Sequence, residues 1–219
     1  MLPRRLEPEV MDSPEEARDY DAMGHAAVNR LFVADFLAVW DRNSPLLDVG
    51  TGTAQIPLEL CRSVPEAQVV AIDLAESMLA VGRDNVVRAG LTGRVRLERW
   101  DAKQLPCADA DFAAVISNSI VHHIPEPWLV LAEMARVLRP GGTLFVRDLL
   151  RPDDESELRH LVATYAGDAN AHQQQMFADS LHAALTLREV RTLVTRLGFD
   201  GTGVRQTSDR HWTLAAIKP

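Results

Sequence analysis

From Pro45 onward, short apolar runs alternate along the chain with longer stretches of helical spacing. Pro45 to Gly50 is apolar and ends in a glycine turn, which predicts a buried strand. Ala54 to Val64 has helical periodicity, and Pro57 is tolerated there because it falls in the first turn. Gln68 to Asp73 predicts a second strand, Glu76 to Val87 a second helix, and the alternation of Arg94 to Glu98 a third strand. A fourth strand is expected within Asp111–Asn118, then an amphipathic helix over Trp128–Leu138. Arg139-Pro140-Gly141-Gly142 closes that helix, and Thr143 to Arg147 reads as a fifth strand. Strands alternating with helices of this length predict an α/β, Rossmann-like, doubly wound sheet with helices on both faces. Ligands in such sheets bind beyond the strands' carboxyl ends.

The flanking segments differ. Residues 1–13 lack an apolar period and predict an irregular arm. Ser13-Pro14-Glu15-Glu16 is a helix start, with a cap, an early proline and early acids. That helix should run to about Met23, where Gly24 interrupts it. A second helix, about His25 to Asp41, carries Val28, Leu31, Phe32, Phe36, Leu37 and Trp40 at helical spacing. Residues 153–184 are polar and mostly helical, which predicts an insertion or lid with His160, His172 and His182 on its surface. Leu187 to Leu197 is a last helix; Gly203–Thr207 and Trp212–Ile217 are two last strands. The expected organisation is an N-terminal helical lid over 1–44 and a ligand-binding domain over 45–219 that includes the insertion.

Composition narrows the partners. The 219 residues carry 31 Asp and Glu against 23 Lys and Arg, a net charge of −8 that repels a phosphate backbone. The two cysteines form no CxxC pair, which excludes a cysteine zinc site, and Cys61 reads as core. The N-terminus turns acidic where a signal peptide needs an apolar run, and no stretch is long and apolar enough to span a membrane. A cytoplasmic protein binding neither nucleic acid nor membrane is expected; the oligomeric state is open.

The informative segment is Asp48-Val49-Gly50-Thr51-Gly52-Thr53-Ala54, where a strand hands over to a helix. A dinucleotide fingerprint needs a small residue three places after the second glycine, and that place holds Gln55. Asp48 would repel a pyrophosphate and suits a ligand with positive charge. Asp73 ends the second strand, where a carboxylate can accept from both hydroxyls of a ribose. Met78 lies about one helical turn further on, where it could cover an adenine face, and Asp101 follows the third strand, where it could accept from an exocyclic amine.

These residues resemble the class I S-adenosylmethionine (SAM)-dependent methyltransferases. DVGTGTA is similar to that family's glycine motif, with Ala54 in place of the usual third glycine. Asp73-Leu74 through Ser77-Met78-Leu79 resembles the ribose-acid motif, and Asp101-Ala102 the adenine motif. Ser117-Asn118-Ser119 with Val121-His122-His123-Ile124, and Val137-Leu138-Arg139-Pro140-Gly141-Gly142, resemble the segments after strand four and before strand five. The resemblance implies a mostly parallel seven-stranded sheet with an antiparallel last strand. It implies that Gly50, Thr51 and Gly52 line the methionine part, that Asp48 orders the ammonium end, and that Asp73 and Leu74 hold the ribose. Met78, Asp101 and Ala102 would hold the adenine, the Asn118 carbonyl the ammonium, and Tyr20 would close over the carboxylate. The cofactor would be SAM, its product S-adenosylhomocysteine, and the acceptor a small molecule.

Methyl transfer needs alignment and, for an O or N nucleophile, removal of a proton. His123 and Asp148, after strands four and five, are the candidate catalytic residues; His122, Arg210 and His211 stand nearby. His122, His123 and Asp148 could also hold a metal, but sequence carries no geometry for it and none is assigned. Alternatives are a protein or RNA methyltransferase and a non-catalytic SAM-binding module. Asn118-Ser119-Ile120-Val121 lacks the prolines and aromatic of amino-directed macromolecule enzymes. The Gln55 spacing and Asp48 oppose a dehydrogenase.

Overall fold

The computed structural model describes residues 2–7, 12–23 and 26–219. Its strands are β1 (Leu46–Val49), β2 (Val69–Asp73), β3 (Val95–Arg99), β4 (Phe112–Asn118), β5 (Leu138–Leu149), β6 (Val204–Gln206) and β7 (His211–Ile217). They form one seven-stranded sheet in the order β3-β2-β1-β4-β5-β7-β6. The pairs among β1 to β5 are parallel, and β7 runs antiparallel to both β5 and β6. The chain winds outward from β1 to β3 and then returns to β4 beside β1. The loops leaving β1 and β4 therefore diverge, and a crevice opens at the strands' carboxyl ends.

Alternate residues of one strand feed opposite faces, as the period of 2 requires. Leu46, Ala114, Ile116 and Phe145 join one apolar cluster, whereas Leu47, Val49, Val115, Leu144 and Val146 join the other. The helices α3 (Gln55–Ser63) and α4 (Glu76–Arg88) follow β1 and β2, and α5 (Pro127–Val137) and α8 (Leu187–Arg196) carry apolar stripes into the second cluster. The first 37 residues contain α1 (Pro14–Ala22) and α2 (Ala26–Leu37). Ser13 caps α1 with a reciprocal Glu16 contact, the capping box its sequence announces. Gly24 and His25, the expected break and restart, lie outside the described residues. α2 covers the sheet: Phe32 meets Phe145 edge-on at 5.1 Å, and buried Arg147 reaches back to Asp35 at 2.6 Å. α1 alone of the two brings a side chain, Tyr20, to the cavity described below.

β5 is longer than its apolar run. It starts at Leu138 and passes through Pro140-Gly141-Gly142, with a register shift between Phe112 and Ala114 on β4. A Cβ on Gly142 would lie 2.7 Å from the Ala113 carbonyl oxygen, so glycine lets the two backbones approach there.

The 153–184 insertion is a helical pair, α6 (Glu155–Ala166) and α7 (Ala171–Ala183). His182 is a correction to the surface reading: it is 7% exposed, because the N-terminal arm lies over the end of α7. Residues 2–7 of the arm are irregular, as expected, and docked on the domain. Leu2 is buried with Leu149, Leu158, Leu161 and Leu181. The Arg4 guanidinium donates to the carbonyls of His122, Ile124, Pro125 and Ala183 at 2.7–3.1 Å.

Candidate functional site

The turn after β1 is shaped by positive-φ residues: Gly50 at 77°, Gly52 at 54° and Ala54 at 65°. The left-handed backbone at Ala54 explains why a glycine suits that place. The Gly50 and Thr51 amides donate to the Ile72 carbonyl at 2.9 and 2.8 Å, which ties the turn to β2. The Asp73 carboxylate completes the tie. Its Oδ2 accepts from the Gly52 amide at 2.8 Å and its Oδ1 from the Ala75 amide at 2.9 Å.

A cavity opens above these groups at the switch point. Its walls include Tyr20, Gly50, Gly52, Asp73, Leu74, Met78, Asp101, Ala102, Asn118 and His123, ten of the residues anticipated from sequence. Ile72, Ala75, Trp100, Ser119, Ile120 and Ile124 also line it. Ser119 and Ile124 belong to the segment after strand four, and the other four are apolar neighbours of motif residues, to which sequence gave no role. Trp100 was the one visible signal, an aromatic placed just after a strand.

Two anticipated groups lie behind the wall. Thr51 turns its side chain inward and is 9% exposed. Asp48 is buried within β1, flanked by Ala71 and Ile116, and its Oδ2 has no hydrogen-bond partner among the described residues. Burial pushes its carboxyl up to about 7, with the Thr51 hydroxyl opposing and the charge of Asp73 adding. Burial likewise raises Asp73, against the pull of the Ala75 and Gly52 amides. Asp101 goes the other way: burial opposes, but the amide and ammonium of Lys103, the latter at 3.0 Å, hold it low. Asp73 and Asp101 bring two carboxylates to the cavity wall, which favours a cationic ligand.

A raised carboxyl lowers stability as it ionises. The contribution of neutral Asp48 is present below the unfolded carboxylate range, near pH 4, and is lost as pH rises toward 7. Asp48→Asn should therefore raise the melting temperature by a few degrees at pH 8 and hardly at all at pH 4.5. An equal change at both values in thermal denaturation would show that Asp48 does not titrate between them.

The loop after β4 forms a 3-10 turn, Val121–His123. Asp148 holds it from β5, accepting from the Val121 amide at 2.5 Å, the His122 amide at 3.3 Å and the Leu149 amide at 2.6 Å. The His122 Nδ1 lies 2.5 Å from the same carboxylate. Burial opposes the charge on both partners, but their mutual attraction prevails and keeps Asp148 low and His122 raised. Asp148 is 1% exposed and does not line the cavity, so its reach to a bound molecule runs through the turn it holds. His123, the next residue, does line it. Arg210 and His211 stand apart from the cavity; burial and then Arg210 depress the His211 imidazole to about 4.

The sheet order, the reversed last strand and the carboxylate-rich cavity at the switch point define a Rossmann-like methyltransferase domain. Residues 47–146 match the family profile described as a methyltransferase domain. The chain is 31% identical over 169 residues to demethylmenaquinone methyltransferase of Porphyromonas gingivalis, covering 65% of this chain and 69% of that one. It is 30% identical over 175 residues to 27-O-demethylrifamycin SV methyltransferase of Amycolatopsis mediterranei, covering 78% of this chain but only 60% of that enzyme. A SAM-dependent methyltransferase from Aquifex aeolicus has the same fold, with a TM-score of 0.69 at 18% identity, covering 95% of this chain and all of that one. The chain belongs to the class I SAM-dependent methyltransferase family.

Proposed function

We propose that this protein transfers a methyl group from SAM to a small-molecule acceptor. The observation that carries the reading is Asp73. Each of its oxygens accepts one backbone amide. A carboxylate offers about four lone-pair sites, so two remain for the vicinal hydroxyls of a ribose. The same contacts bring Gly52 beside the ribose acid, and Asp101 and Met78 line the cavity with them. These residues fit SAM: they offer acceptors and carboxylates, as a ligand with an ammonium, a sulfonium and no phosphate requires. Bound there, SAM would supply an electrophilic methyl carbon.

The chain's own part is to position and to move a proton. His123 faces the cavity and is the proton acceptor for a hydroxyl nucleophile. Asp148 is a positioning residue, since it holds the turn that presents His123. The small acceptor is supported by the names of the two relatives, a demethylated rifamycin enzyme and a demethylmenaquinone enzyme. The net charge of −8 opposes a nucleic-acid acceptor. Among the described residues no helix is long and apolar enough to cross a membrane.

Calorimetric titration with SAM and S-adenosylhomocysteine, with NAD as control, tests the reading. Both should bind and NAD should not. Asp73→Ala should weaken SAM by about 1–3 kcal/mol, roughly five- to 150-fold, through lost charged hydrogen bonds. An unchanged affinity would remove Asp73 from the ribose site.

A further inference from the structure

The N-terminal arm brings a carboxylate to the paired histidines, although nothing in its sequence suggests it. Glu7 Oε1 lies 3.0 Å from His123 Nδ1 and 3.5 Å from His122 Nε2, and the three atoms all fall within 4.8 Å of one another. Glu7 Oε1 and His123 Nδ1 are both buried, and neither makes an aligned hydrogen bond among the described residues despite their closeness. Two buried polar atoms at 3.0 Å share either a proton or a cation. We infer that this cluster is a divalent metal site, with Glu7, His122 and His123 as ligands.

The donor chemistry fits. Two imidazoles and one carboxylate form the ligand set of open zinc sites and also suit cobalt and manganese. Ligand atoms on one such ion lie about 3.3 Å apart at tetrahedral angles, close to the two distances Glu7 already makes. The two rings stand side by side, 4.0 Å between centroids, because consecutive residues of the 3-10 turn carry them. The outer contact is also in place. Asp148 takes Nδ1 of His122 at 2.5 Å, which leaves Nε2 as the nitrogen turned toward Glu7. Arg4 spends its guanidinium donors on backbone carbonyls rather than on Glu7 or Asp148. Glu7 and Asp148 together balance one dication.

Any proton on His122 Nε2 or His123 Nδ1 leaves to solvent as the ion enters. A metal on Nδ1 of His123 places that ring's proton on Nε2. The ring that lines the cavity then donates where it otherwise accepts, so metal loading and proton acceptance by His123 exclude each other. The ion also fastens the arm to the turn after β4 and stabilises the folded chain by mass action.

The test uses untagged full-length protein stripped with a chelator and needs neither SAM nor an acceptor, so a failure of the methyl-transfer reading leaves it intact. Zinc titrated calorimetrically should bind one per chain at micromolar concentration and raise the melting temperature. Cobalt should give the intense visible bands of four- or five-coordination. Glu7→Gln, which keeps the Arg4 anchor, should weaken zinc at least about tenfold, and Asp148→Asn about 10–100-fold. His172→Gln, outside the cluster, should change nothing. Far-UV circular dichroism confirms that each variant is folded; if Asp148→Asn is not, Glu7→Gln decides. No binding at micromolar zinc, or binding that a folded Glu7→Gln leaves unaltered, overturns the site.

Discussion

Gly50→Ala is expected to destabilise the protein by about 2–5 kcal/mol and to abolish cofactor binding. Two costs add. A left-handed backbone, here φ 77°, costs a non-glycine residue about 1–2 kcal/mol. The new Cβ would lie 2.0 Å from Ile120 Cγ2 and 2.9 Å from Ile120 Cβ, and overpacking of that kind costs about 1–3 kcal/mol. In a chain of this length the sum lowers the melting temperature by roughly 5–20 °C. Ile120 stands on the loop after β4 and Gly50 on the loop after β1, so the clash forces apart the two walls of the cavity. Gly90 supplies the control: it has φ 69° with nothing within 4 Å, so Gly90→Ala carries the backbone cost alone. Adding Ile120→Ala to Gly50→Ala should recover the packing part only. Gly50→Ala no more harmful than Gly90→Ala would mean that the loops do not touch as described.

His123→Ala should lower turnover of a hydroxyl acceptor by about 10²–10⁴-fold, the range for loss of a general base. Its affinity for SAM should stay close to that of the parent, because Asp73, Asp101 and the glycine turn are untouched. Asp148→Asn acts one step removed. It weakens the hold on Val121 and His122, so its effect on turnover should be smaller and should appear without loss of SAM. The measurement is kcat with an acceptor found by product-mass screening, set beside a SAM titration of each variant. Parental turnover in His123→Ala would take this residue out of the chemistry and leave alignment of the acceptor as the protein's contribution.

Much of the scaffold was legible because its signals are local. The β1–α3 turn announced itself by two glycines, and α1 by its capping box. Asp73 was readable as the last residue of a strand, and such residues emerge at the crevice. Asp48 looked equally informative and sits elsewhere. It lies two residues before the turn, so both neighbouring strands still flank it, and it is buried behind the cavity rather than in it. No periodicity separates these two aspartates. Their difference is where the sheet ends relative to each, and the pairing register sets that.

The same holds for the paired histidines. Sequence placed them after β4 but did not assign the buried one to Asp148 and the other to the cavity; the 3-10 turn, pinned from β5, does that. Residues 2–7 have no period at all, yet Leu2, Arg4 and Glu7 all find partners more than 100 residues away. Sequence by itself determined the alternation of strands and helices, the glycine turn and the acids at strand ends, because these depend on residues within a turn or two of each other. Tertiary structure alone decided which carboxylates face the cavity and which carboxylate meets the histidines. Those contacts join segments whose distance along the chain bears no relation to their distance in space.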